Sequence, residues 1–529
     1  MPVRVYNVNK AIGLASSGVE YAQRYRREVF AEIDWVDDYY VFTDYLSTNP
    51  SVFTDRLGFA RAQVRWIYDL VTGRETSPCT LSVAEFVSTI GQPHAAPQAF
   101  PDHTDIALLD SPVRYRIRTV GDQPGDQPGD QPGERFVDRV ETLAGGQVVR
   151  VEHYDETLNN VEHFHEGRLV RRVFHTPDGR VGAEQFYRGR EITRTVITPA
   201  SPLHTSTVRP GRRGPDSFLG DVVLDGRSRF FQFVFERLLS RPDDVVIVDR
   251  ALDVVDGIYP VIGEHRLYVT VHAEHFDLTQ IDDGVLLWNN HYENVFTRPD
   301  LVDGLVVSTR RQKEVLERQL AARFPDGGFT VACIPVGVVT RLAPQQEYDR
   351  FAVVTASRLA DEKHIDLLIR AVAAARETLP ELRLDVYGEG SRDHLLTVIA
   401  ETGSQDRVRL LGHRELDGVL GSYGLYASAS TSEGFGLSLL EAMAEGLPIV
   451  GFDVDYGNRE MVESGVNGRL VPFADDAGDV DRIAAAIVEV LTSETLDEMR
   501  CRSLKRAEAY TAAHVRRRWE DLLGGEGQC

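Results

Sequence analysis

Short runs of β-branched and aromatic residues alternate with stretches of helical periodicity at the start of the chain. A predicted strand at residues 3–8 is followed by the glycine-bearing turn GLASSG at 13–18 and by a predicted helix at 19–30. A second strand is expected at 39–43. This order places backbone amides at the start of a helix, where they can hold an anion.

The alternation resumes near residue 227 and continues to the C-terminus. The first series of predicted elements comprises a helix at 227–239, strands at 245–248, 266–271 and 305–308, and a helix at 310–320. The second comprises strands at 351–355, 384–387, 408–411, 423–427 and 448–451, helices at 364–378 and 436–445, and two helices between 496 and 523. Short Val- and Ile-rich strands separated by helices are typical of parallel sheets covered on both faces.

The segment between residues 50 and 210 has a different pattern. Strand-like runs at 114–120, 148–154, 169–174 and 192–197 are separated by turn residues, which predicts an antiparallel β-meander. The tandem Gly-Asp-Gln-Pro run from Gly121 to Pro132 has no apolar residue to bury, so a mobile hairpin loop is expected there.

Composition and charge limit the function. The 529 residues are 42% hydrophobic, and the formal charge of −23 would repel nucleic-acid phosphates, so no nucleic-acid partner is predicted. No apolar run approaches the roughly 20 residues of a transmembrane helix, and the first residues do not resemble a signal peptide. These features predict a cytoplasmic protein, compatible with peripheral association at the inner face of the membrane. The four cysteines lack metal-site or redox spacing and are interpreted as incidental.

Two glutamates bracket the glycine-rich start of a predicted helix in Glu433-Gly-Phe-Gly-Leu-Ser-Leu-Leu-Glu441. Unobstructed amides and the helix dipole can hold a diphosphate there, and carboxylates can accept hydrogen bonds from sugar hydroxyls. An arbitrary pair of glutamates at this spacing is more often two surface charges. The intervening glycines favour a binding site.

Two cations follow the first strand of the C-terminal series, in Ser357-Arg358-Leu-Ala-Asp-Glu-Lys363. At a strand end, Arg358 and Lys363 could neutralise a diphosphate leaving group. Alone, such a pair is more often a solvated loop. Gly18 lacks a side chain and could leave room for a phosphate, although a simple glycine turn explains it equally well.

Other candidate residues also follow predicted strands. His272 comes directly after the strand at 266–271, with His275 and His291 further along the chain; strand-end histidines often only cap loops. Gly412 and His413 follow a later strand and could frame a nucleotide base.

Asp453-Val-Asp455 could be mistaken for a metal-binding D-x-D motif, but its place after a late strand favours a structural loop. No metal site is therefore predicted. Walker, H-E-x-x-H and G-x-S-x-G runs are absent from the sequence, which disfavours NTP hydrolysis, zinc proteolysis and serine esterase chemistry.

The run from Glu433 to Glu441 resembles the complete E-x7-E signature of family 4 retaining glycosyltransferases, and the run from Ser357 to Lys363 is similar to that family's S-R-L-x-x-x-K motif. The resemblance implies an α/β GT-B fold, in which two Rossmann-like domains face each other across a cleft, with an antiparallel β-rich domain inserted in the N-terminal half. The implied domains are an N-terminal acceptor-side domain at 1–50 and 211–340, the insert at 51–210, a C-terminal nucleotide-sugar-binding domain at 341–500, and helices at 501–529 that pack back toward the N-terminal domain.

The resemblance also implies roles for individual residues. The catalytic set is Glu433, His272, Lys363 and Arg358, and the donor-binding set is Gly18, Arg358, Lys363, Gly412, His413, Glu433, Phe435, Gly436, Leu437 and Glu441. The glutamate at 433 would contact sugar hydroxyls, and the one at 441 would hold the nucleotide ribose. The amides near Phe435, Gly436 and Leu437 would face the diphosphate. The donor is a substrate, and neither a metal nor another cofactor is expected.

The opening residues, the β-rich insert, and the runs Val271-His-Ala-Glu-His-Phe276 and Leu287-Trp-Asn-Asn-His-Tyr292 resemble a narrower bacterial group. That group includes wall teichoic acid α-N-acetylglucosaminyltransferases and accessory-Sec O-GlcNAc transferases of serine-rich adhesins. The resemblance implies transfer of a hexose or N-acetylhexosamine from UDP-GlcNAc or UDP-glucose to a large acceptor, such as teichoic acid or a serine-rich protein. It also implies a homo-oligomer or a partner subunit bound through the insert.

Two alternatives remain at this point. The chain could be a non-catalytic GT-B-like subunit that binds acceptor or stabilises a partner transferase, but the retained glutamates and cations disfavour this. It could also be a phosphorylase or a sucrose synthase-like enzyme, although no lysine context indicates a pyridoxal cofactor. The arginines of the insert, Arg114, Arg116, Arg118, Arg168, Arg171 and Arg172, could attract a polyanionic acceptor or could mark a solvated sheet face.

Overall fold

The computed structural model describes residues 2–13, 18–120, 135–205, 220–276, 286–325, 327–343 and 346–524. Contacts divide the chain into a first unit, Met1–Ala15 with Trp35–Tyr268, and a second unit, Ser16–Asp34 with Val269–Cys529. The predicted hairpin loop from Gly121 to Pro132 lies outside the described residues. The domain bounds expected from the family remain predictions.

The described residues form 23 strands and 16 α-helices. The strands are β1 Val3–Asn9, β2 Val36–Phe42, β3 Val64–Trp66, β4 Gln98–Ala99, β5 Thr104–Ala107, β6 Val113–Thr119, β7 Val137–Ala144, β8 Gln147–Tyr154, β9 Leu158–His165, β10 Arg168–His175, β11 Val181–Arg188, β12 Glu191–Ile197, β13 Val222–Asp225, β14 Val245–Val248, β15 Arg266–Val271, β16 Gly304–Val307, β17 Thr330–Cys333, β18 Asp349–Ala356, β19 Arg383–Tyr387, β20 Val408–Gly412, β21 Tyr423–Ser428, β22 Ile449–Phe452 and β23 Gly468–Val471.

The helices are α1 Gly18–Phe30, α2 Ser51–Arg56, α3 Ile67–Thr72, α4 Val83–Ser88, α5 Pro202–Thr205, α6 Gly226–Leu238, α7 Val255–Ile262, α8 Glu293–Phe296, α9 Arg310–Arg323, α10 Ile365–Ala375, α11 Asp393–Glu401, α12 Leu437–Ala444, α13 Gly457–Met461, α14 Gly478–Thr492, α15 Leu496–Ala507 and α16 Ala512–Gly524. Every helix among the described residues is too short or too polar to cross a membrane.

A parallel sheet in the first unit has the strand order β3-β2-β1-β14. All four residues of β14, Val-Val-Ile-Val, are buried, as expected for a strand covered on both faces. Strand β3 pairs with β2 and extends this parallel sheet to residue 66, in a stretch where the sequence predicted no parallel strand. With only three residues, β3 is too short to show a periodicity of its own.

The predicted antiparallel meander is a ten-stranded sheet in the first unit, in which β4 to β13 lie in sequence order. Its last strand extends past residue 210 and pairs with β12. Helices α3 and α6 pack against this sheet. The rings of Tyr68 on α3 and Phe174 on β10 stack 4.8 Å apart, so aromatic packing joins this sheet to the rest of its unit.

A six-stranded parallel sheet forms the centre of the second unit. Its order, β20-β19-β18-β21-β22-β23, is that of a doubly wound Rossmann-like domain. Alternate residues of β18 face opposite layers: Val353 packs with residues of α10, α11 and α14, whereas Ala352 and Val354 pack with residues of α12. Both faces are therefore buried, which explains the unbroken apolar runs in its sequence.

Helix α1 belongs to the second unit although it lies near the start of the chain. Phe30 meets Trp519 of α16 edge to face at 5.3 Å, and the guanidinium of Arg26 lies 5.1 Å from the same ring. An ion pair of 3.1 Å joins Arg516 to Glu32 just after α1. These contacts hold α1 on the last helix of the chain.

Candidate active site

The strand order of the six-stranded sheet predicts where a ligand binds. Strands β18 and β21 are neighbours, and the connections that leave them run to opposite sides of the sheet. Ligands of such sheets bind beyond the carboxyl ends of the strands at this switch point. The segment containing Arg358 and Lys363 follows β18, and the segment containing Glu433 follows β21. The fold therefore brings the two sequence motifs to one edge.

Lys363 and Glu433 form an ion pair at this edge. The Lys363 Nζ donates to the Glu433 Oε2 at 2.6 Å, and the two side chains are only 14% and 22% exposed. Lys363 ends a short 3₁₀ turn, Asp361–Lys363, after extended Ala360. A half-buried ammonium and carboxylate at a switch point can hold opposite ends of a ligand that carries both an anion and hydroxyl groups.

The backbone on either side of Glu433 is tightly packed. The Glu433 carbonyl accepts hydrogen bonds from the amides of Tyr456 at 3.1 Å and Gly457 at 2.8 Å. A Cβ at Gly434 would lie 2.3 Å from the carbonyl oxygen of His272, so only glycine permits this approach. The segment that follows β15 therefore lies directly against the Glu433 segment.

Helix α12 begins immediately after this segment. Gly436 has a φ of 86° and precedes Leu437, the first residue of the helix. The Phe435 ring is buried and packs against Tyr510 at 5.9 Å, so its side chain is part of the core. The backbone amides of Phe435, Gly436 and Leu437 remain the groups of this stretch that could hold an anion, and that role stays a prediction.

Among the candidate histidines, the structure distinguishes His272 from His275. The amides of His272 and Ala273 both donate to the hydroxyl of Tyr292, at 3.0 and 3.2 Å, which fixes the backbone after β15. The His272 side chain is half-buried, and His291 is exposed in the described structure. The backbone of His272 therefore lies against Gly434, and the role of its side chain stays a prediction.

His275 is a core residue. Its Nε2 lies 2.8 Å from the Gln319 Oε1, and its Nδ1 lies 3.4 Å from the Tyr456 hydroxyl. We assign a neutral ring that donates from Nε2 and accepts at Nδ1, because this tautomer satisfies both partners. Burial lowers the pKa of His275 to about 4, so the ring is uncharged near neutral pH.

The two ends of the E-x7-E run have different surroundings. Glu441, on α12, lies near the hydroxyl of Tyr25 on α1 and the carboxylate of Asp417. Burial of the carboxyl group, followed by the nearby charge of Asp417, raises the pKa of Glu441 to about 7. Glu433 instead forms an ion pair with the Lys363 ammonium.

Arg358 does not join the pair formed by Lys363 and Glu433. Its guanidinium donates to Glu362 at 2.8 Å, and the two side chains are 59% and 47% exposed. An exposed pair of this kind contributes at most about 1 kcal/mol, so Arg358 can change partner when an anion binds.

Gly412 and His413 extend the same edge. The Gly388 amide donates to the Gly412 carbonyl at 3.0 Å, and His413 is exposed. Arg392 was not predicted, yet its Nη2 lies 3.1 Å from the position of a Cβ at Gly412. Sequence reasoning missed Arg392 and also Tyr25, because neither residue belongs to a motif and only the fold brings them to these positions.

The Asp453-Val-Asp455 run is a structural loop, as predicted. The guanidinium of Arg459 pairs with Asp453 at 2.6 Å and with Asp455 at 2.7 Å, and Arg311 lies 3.4 Å from Asp455. Across the described ranges, His, Cys, Asp and Glu residues do not form a group of three suited to a metal ion.

Comparison with known proteins gives the class. Residues 350–493 match the family described as Glycosyl transferases group 1. The pneumococcal O-GlcNAc transferase GtfA, solved in complex with UDP and GlcNAc, has a TM-score of 0.87 and 31% identity over 99% of both chains. With the parallel sheets and the switch-point site, this shows a glycosyltransferase of the GT-B fold, which confirms the predicted fold and enzyme class.

Relatives that align over almost the whole chain identify the family. The UDP-N-acetylglucosamine–peptide N-acetylglucosaminyltransferase GtfA subunit of Streptococcus gordonii is 33% identical over 530 residues, covering 98% of each protein. The structure of a GtfA/B complex aligns with a TM-score of 0.84 and 31% identity, over 98% of this chain and 99% of that chain. The chain therefore belongs to the family of GtfA glycosyltransferase subunits.

Proposed function

We propose that the chain is a retaining glycosyltransferase of family 4 that transfers N-acetylglucosamine from UDP-GlcNAc to hydroxyl groups of a serine-rich protein. The observation that carries this proposal is the half-buried pair of Lys363 and Glu433 at the switch point of the six-stranded sheet. The donor and the peptide acceptor are those in the name of the Streptococcus gordonii relative. UDP-glucose and teichoic acid remain the donor and acceptor to be compared with them.

In this proposal, each predicted residue has a chemical role. The Lys363 ammonium, joined by Arg358 once its exposed pair with Glu362 opens, neutralises the diphosphate as its charge grows. The Glu433 carboxylate accepts hydrogen bonds from sugar hydroxyls, and His272 contacts the transferred sugar. The backbone at Gly18, Gly412 and His413 and the start of α12 complete the donor site.

The reaction proposed is a front-face substitution. The acceptor oxygen bonds to the anomeric carbon on the side from which UDP departs, the bond from that carbon to the phosphate oxygen breaks, and the acceptor proton passes to the departing diphosphate. Retention follows from attack on that face. The two cations supply the positive charge that the leaving group needs, so no metal or other cofactor enters the proposal.

We also propose that the ten-stranded sheet binds a partner subunit or a second copy of the chain. One of the similar structures is a GtfA/B complex. The described sheet exposes apolar side chains: Val149 is 37%, Val170 38% and Val223 55% exposed. Sedimentation of the chain alone would show whether it self-associates.

A cytoplasmic location, including the inner face of the membrane, is part of the proposal. Cys79 and Cys333 are free thiols in the described structure, which is usual in a reducing compartment.

A donor and acceptor matrix tests the proposal. UDP release would be measured from UDP-GlcNAc and UDP-glucose, each with a serine-rich peptide, with a polyol-phosphate polymer, and without acceptor, in the presence and absence of EDTA. We expect peptide-dependent release from UDP-GlcNAc that EDTA does not reduce, and an α-linked product by NMR. An inverted product, or no release with any acceptor, would overturn the proposed reaction.

A further inference from the structure

The hydroxyl group of Tyr426 links two segments of the candidate site from within the core. Tyr426 lies in β21, and only 1% of the residue is exposed. Its hydroxyl oxygen lies 2.9 Å from the Ala356 carbonyl oxygen and 2.9 Å from the Ser438 Oγ, and it accepts a hydrogen bond from the Ala356 amide at 3.2 Å. One buried phenol therefore contacts two elements that are far apart in the sequence.

The two residues that Tyr426 contacts lie beside the two motifs of the site. Ala356 is the last residue of β18, directly before the segment that carries Arg358 and Lys363. Ser438 is the second residue of α12, in the turn whose amides are predicted to hold the diphosphate. Tyr426 thus joins the segment that carries the cations to the helix start that carries the amides.

The phenol has the chemistry that this link requires. A hydroxyl has one proton to donate and lone pairs that accept, so it can serve the carbonyl, the amide and the serine hydroxyl together. Burial raises the pKa of Tyr426 to about 12, so the hydroxyl keeps its proton at neutral pH. Buried polar groups without a partner destabilise a fold, so these bonds favour one arrangement of the two elements.

The cation segment is also held on its other side, by residues at the end of β19. The Ser357 amide donates to the Tyr387 carbonyl at 3.0 Å, and the Leu359 amide donates to the Glu389 carbonyl at 2.8 Å. These bonds fix the segment against β19. The contacts of the Tyr426 hydroxyl add a link to α12, so the segment and the helix keep one spacing.

That spacing matters because the cations and the amides are proposed to contact one diphosphate. Groups from two elements can act on the same ligand only when the distance between them matches it. A misplacement of about 1 Å at a reacting group can lower a rate on the order of 10²-fold. A buried bond that sets this distance therefore bears on binding and on transfer.

We propose that Tyr426 is a positioning residue for the donor diphosphate: its hydroxyl sets the distance between the segment of Arg358 and Lys363 and the start of α12. This inference rests on the proposed function, in which both of these elements bind the diphosphate. It predicts that the hydroxyl affects recognition of the diphosphate and leaves recognition of the nucleoside unchanged.

Tyr426→Phe tests the proposal, because it removes the hydroxyl and keeps the ring in the core. We expect its affinity for UDP to fall by a factor on the order of ten. Its affinity for uridine, which has the base and ribose but no diphosphate, should stay at the wild-type value. Calorimetric titration of the full chain measures UDP binding, and competition against UDP measures uridine binding.

Tyr423→Phe is a matched control from the same strand. Tyr423 is 4% exposed, and its hydroxyl donates to Asp385 at 2.7 Å and lies 3.0 Å from that of Tyr387. The variant therefore removes buried hydrogen bonds of β21 that join other residues. Both of its affinities should equal those of the wild type. Thermal melts of each variant show that it folds.

Ser438→Ala tests the link to α12 separately. It should weaken UDP binding in the same sense as Tyr426→Phe and should also leave uridine binding unchanged. The double variant should lose little more affinity than Tyr426→Phe alone, because both substitutions break the same contact.

The outcomes separate the two proposals. The inference fails if Tyr426→Phe leaves UDP affinity unchanged, if it weakens UDP and uridine alike, or if Tyr423→Phe shows the same selective loss. Additive losses in the double variant would contradict the link through Ser438. If the wild-type chain does not bind UDP, the proposed donor site itself fails, whatever the tyrosine variants show.

Discussion

The carboxyl edge of the six-stranded sheet and the ten-stranded antiparallel sheet use glycine for different reasons. At the edge, a Cβ at Gly388 would lie 1.8 Å from the Ser357 carbonyl oxygen, and one at Gly390 would lie 2.6 Å from that of Leu359. In the hairpin turns of the antiparallel sheet, Gly146 and Gly167 also have positive φ angles, but a Cβ there would meet nothing within 4 Å.

The two regions also differ in how they use charge. Lys363 and Glu433 are both mostly buried, whereas the antiparallel sheet carries rows of cross-strand pairs at its surface, such as Arg171 with Glu184 at 40% and 22% exposure. Desolvated charges interact more strongly than solvated ones. The edge is therefore a region of fixed geometry, whereas the sheet has tolerant turns and weak pairs on its outer surface. Its Arg172–Glu162 pair, at 14% and 9% exposure, is as buried as the pair at the edge.

The largest effect is expected from breaking the buried pair. Lys363→Ala or Glu433→Ala should each lower the rate of transfer by a factor of about 10² to 10³, because each removes a group proposed to contact the donor, while the fold persists. The rate of UDP release with acceptor measures the loss. Arg370→Ala breaks an exposed pair of 2.7 Å with Glu401 in the same unit and should leave the rate unchanged. Near-wild-type transfer by either site variant would contradict the assignment.

Glycine-to-alanine substitutions should destabilise the protein by different amounts in the two regions. Gly388→Ala should lower the free energy of unfolding by about 4 kcal/mol, because the new methyl group overlaps the Ser357 carbonyl and the φ of 141° is strained for alanine. Gly146→Ala, with a φ of 80° and open space, should cost about 1 kcal/mol. Denaturant unfolding of both variants measures the difference. Equal losses would mean that close packing does not distinguish the edge from the hairpins.

Much of the fold could be predicted because its strands are short, apolar and separated by helices. The strand predicted at residues 245–248 matches β14, and that at 266–271 matches β15. The failures have a physical cause. Strand β3 has three residues, and its pairing with β2 is a non-local contact that no local pattern encodes.

Residues of the candidate site could be predicted from the sequence only where they belong to a recognisable motif. Lys363 and Glu433 stand in two motifs 70 residues apart, and parallel-sheet topology brings such strand ends together. The proximity of Tyr25 to Glu441 could not be found in this way, because Tyr25 is one of two tyrosines on an amphipathic helix. The role of His275 was also hidden: the sequence shows a histidine near a strand end, and only its burial shows that the ring is neutral.

An intermediate effect on the free energy of unfolding is expected from the buried residue His275. Its pKa is lowered to about 4, so the unfolded chain binds a proton at higher pH than the folded chain does. Its contribution to stability is present above about pH 6.5 and is lost as pH falls, by about 2 kcal/mol between about pH 7 and pH 5. In His275→Gln, which keeps a neutral donor and acceptor, this component should vanish. Unfolding free energies of both proteins at each pH provide the test, and parallel curves would exclude the buried neutral ring.

The smallest effect is expected on the antiparallel sheet, where the sequence left open whether arginines attract a polyanionic acceptor or form a solvated face. Arg114 and Arg116 share Asp105, at 3.2 and 3.1 Å, so their charges are partly neutralised, whereas exposed Arg168 has no ion pair within the described structure. Arg116→Ala should change the free energy of unfolding by less than about 1 kcal/mol and leave the KM for acceptor nearly unaltered.

Arg168→Ala is the sharper comparison, because it removes a charge that no neighbouring carboxylate offsets. If the sheet face attracts polyanions, this variant should raise the KM for a polyol-phosphate acceptor at low salt, but not the KM for a neutral peptide, and added salt should remove the difference. If neither KM changes, the arginines form a solvated sheet face. The antiparallel sheet would then differ from the edge in a second respect, since its charges would stabilise the surface without selecting the substrate.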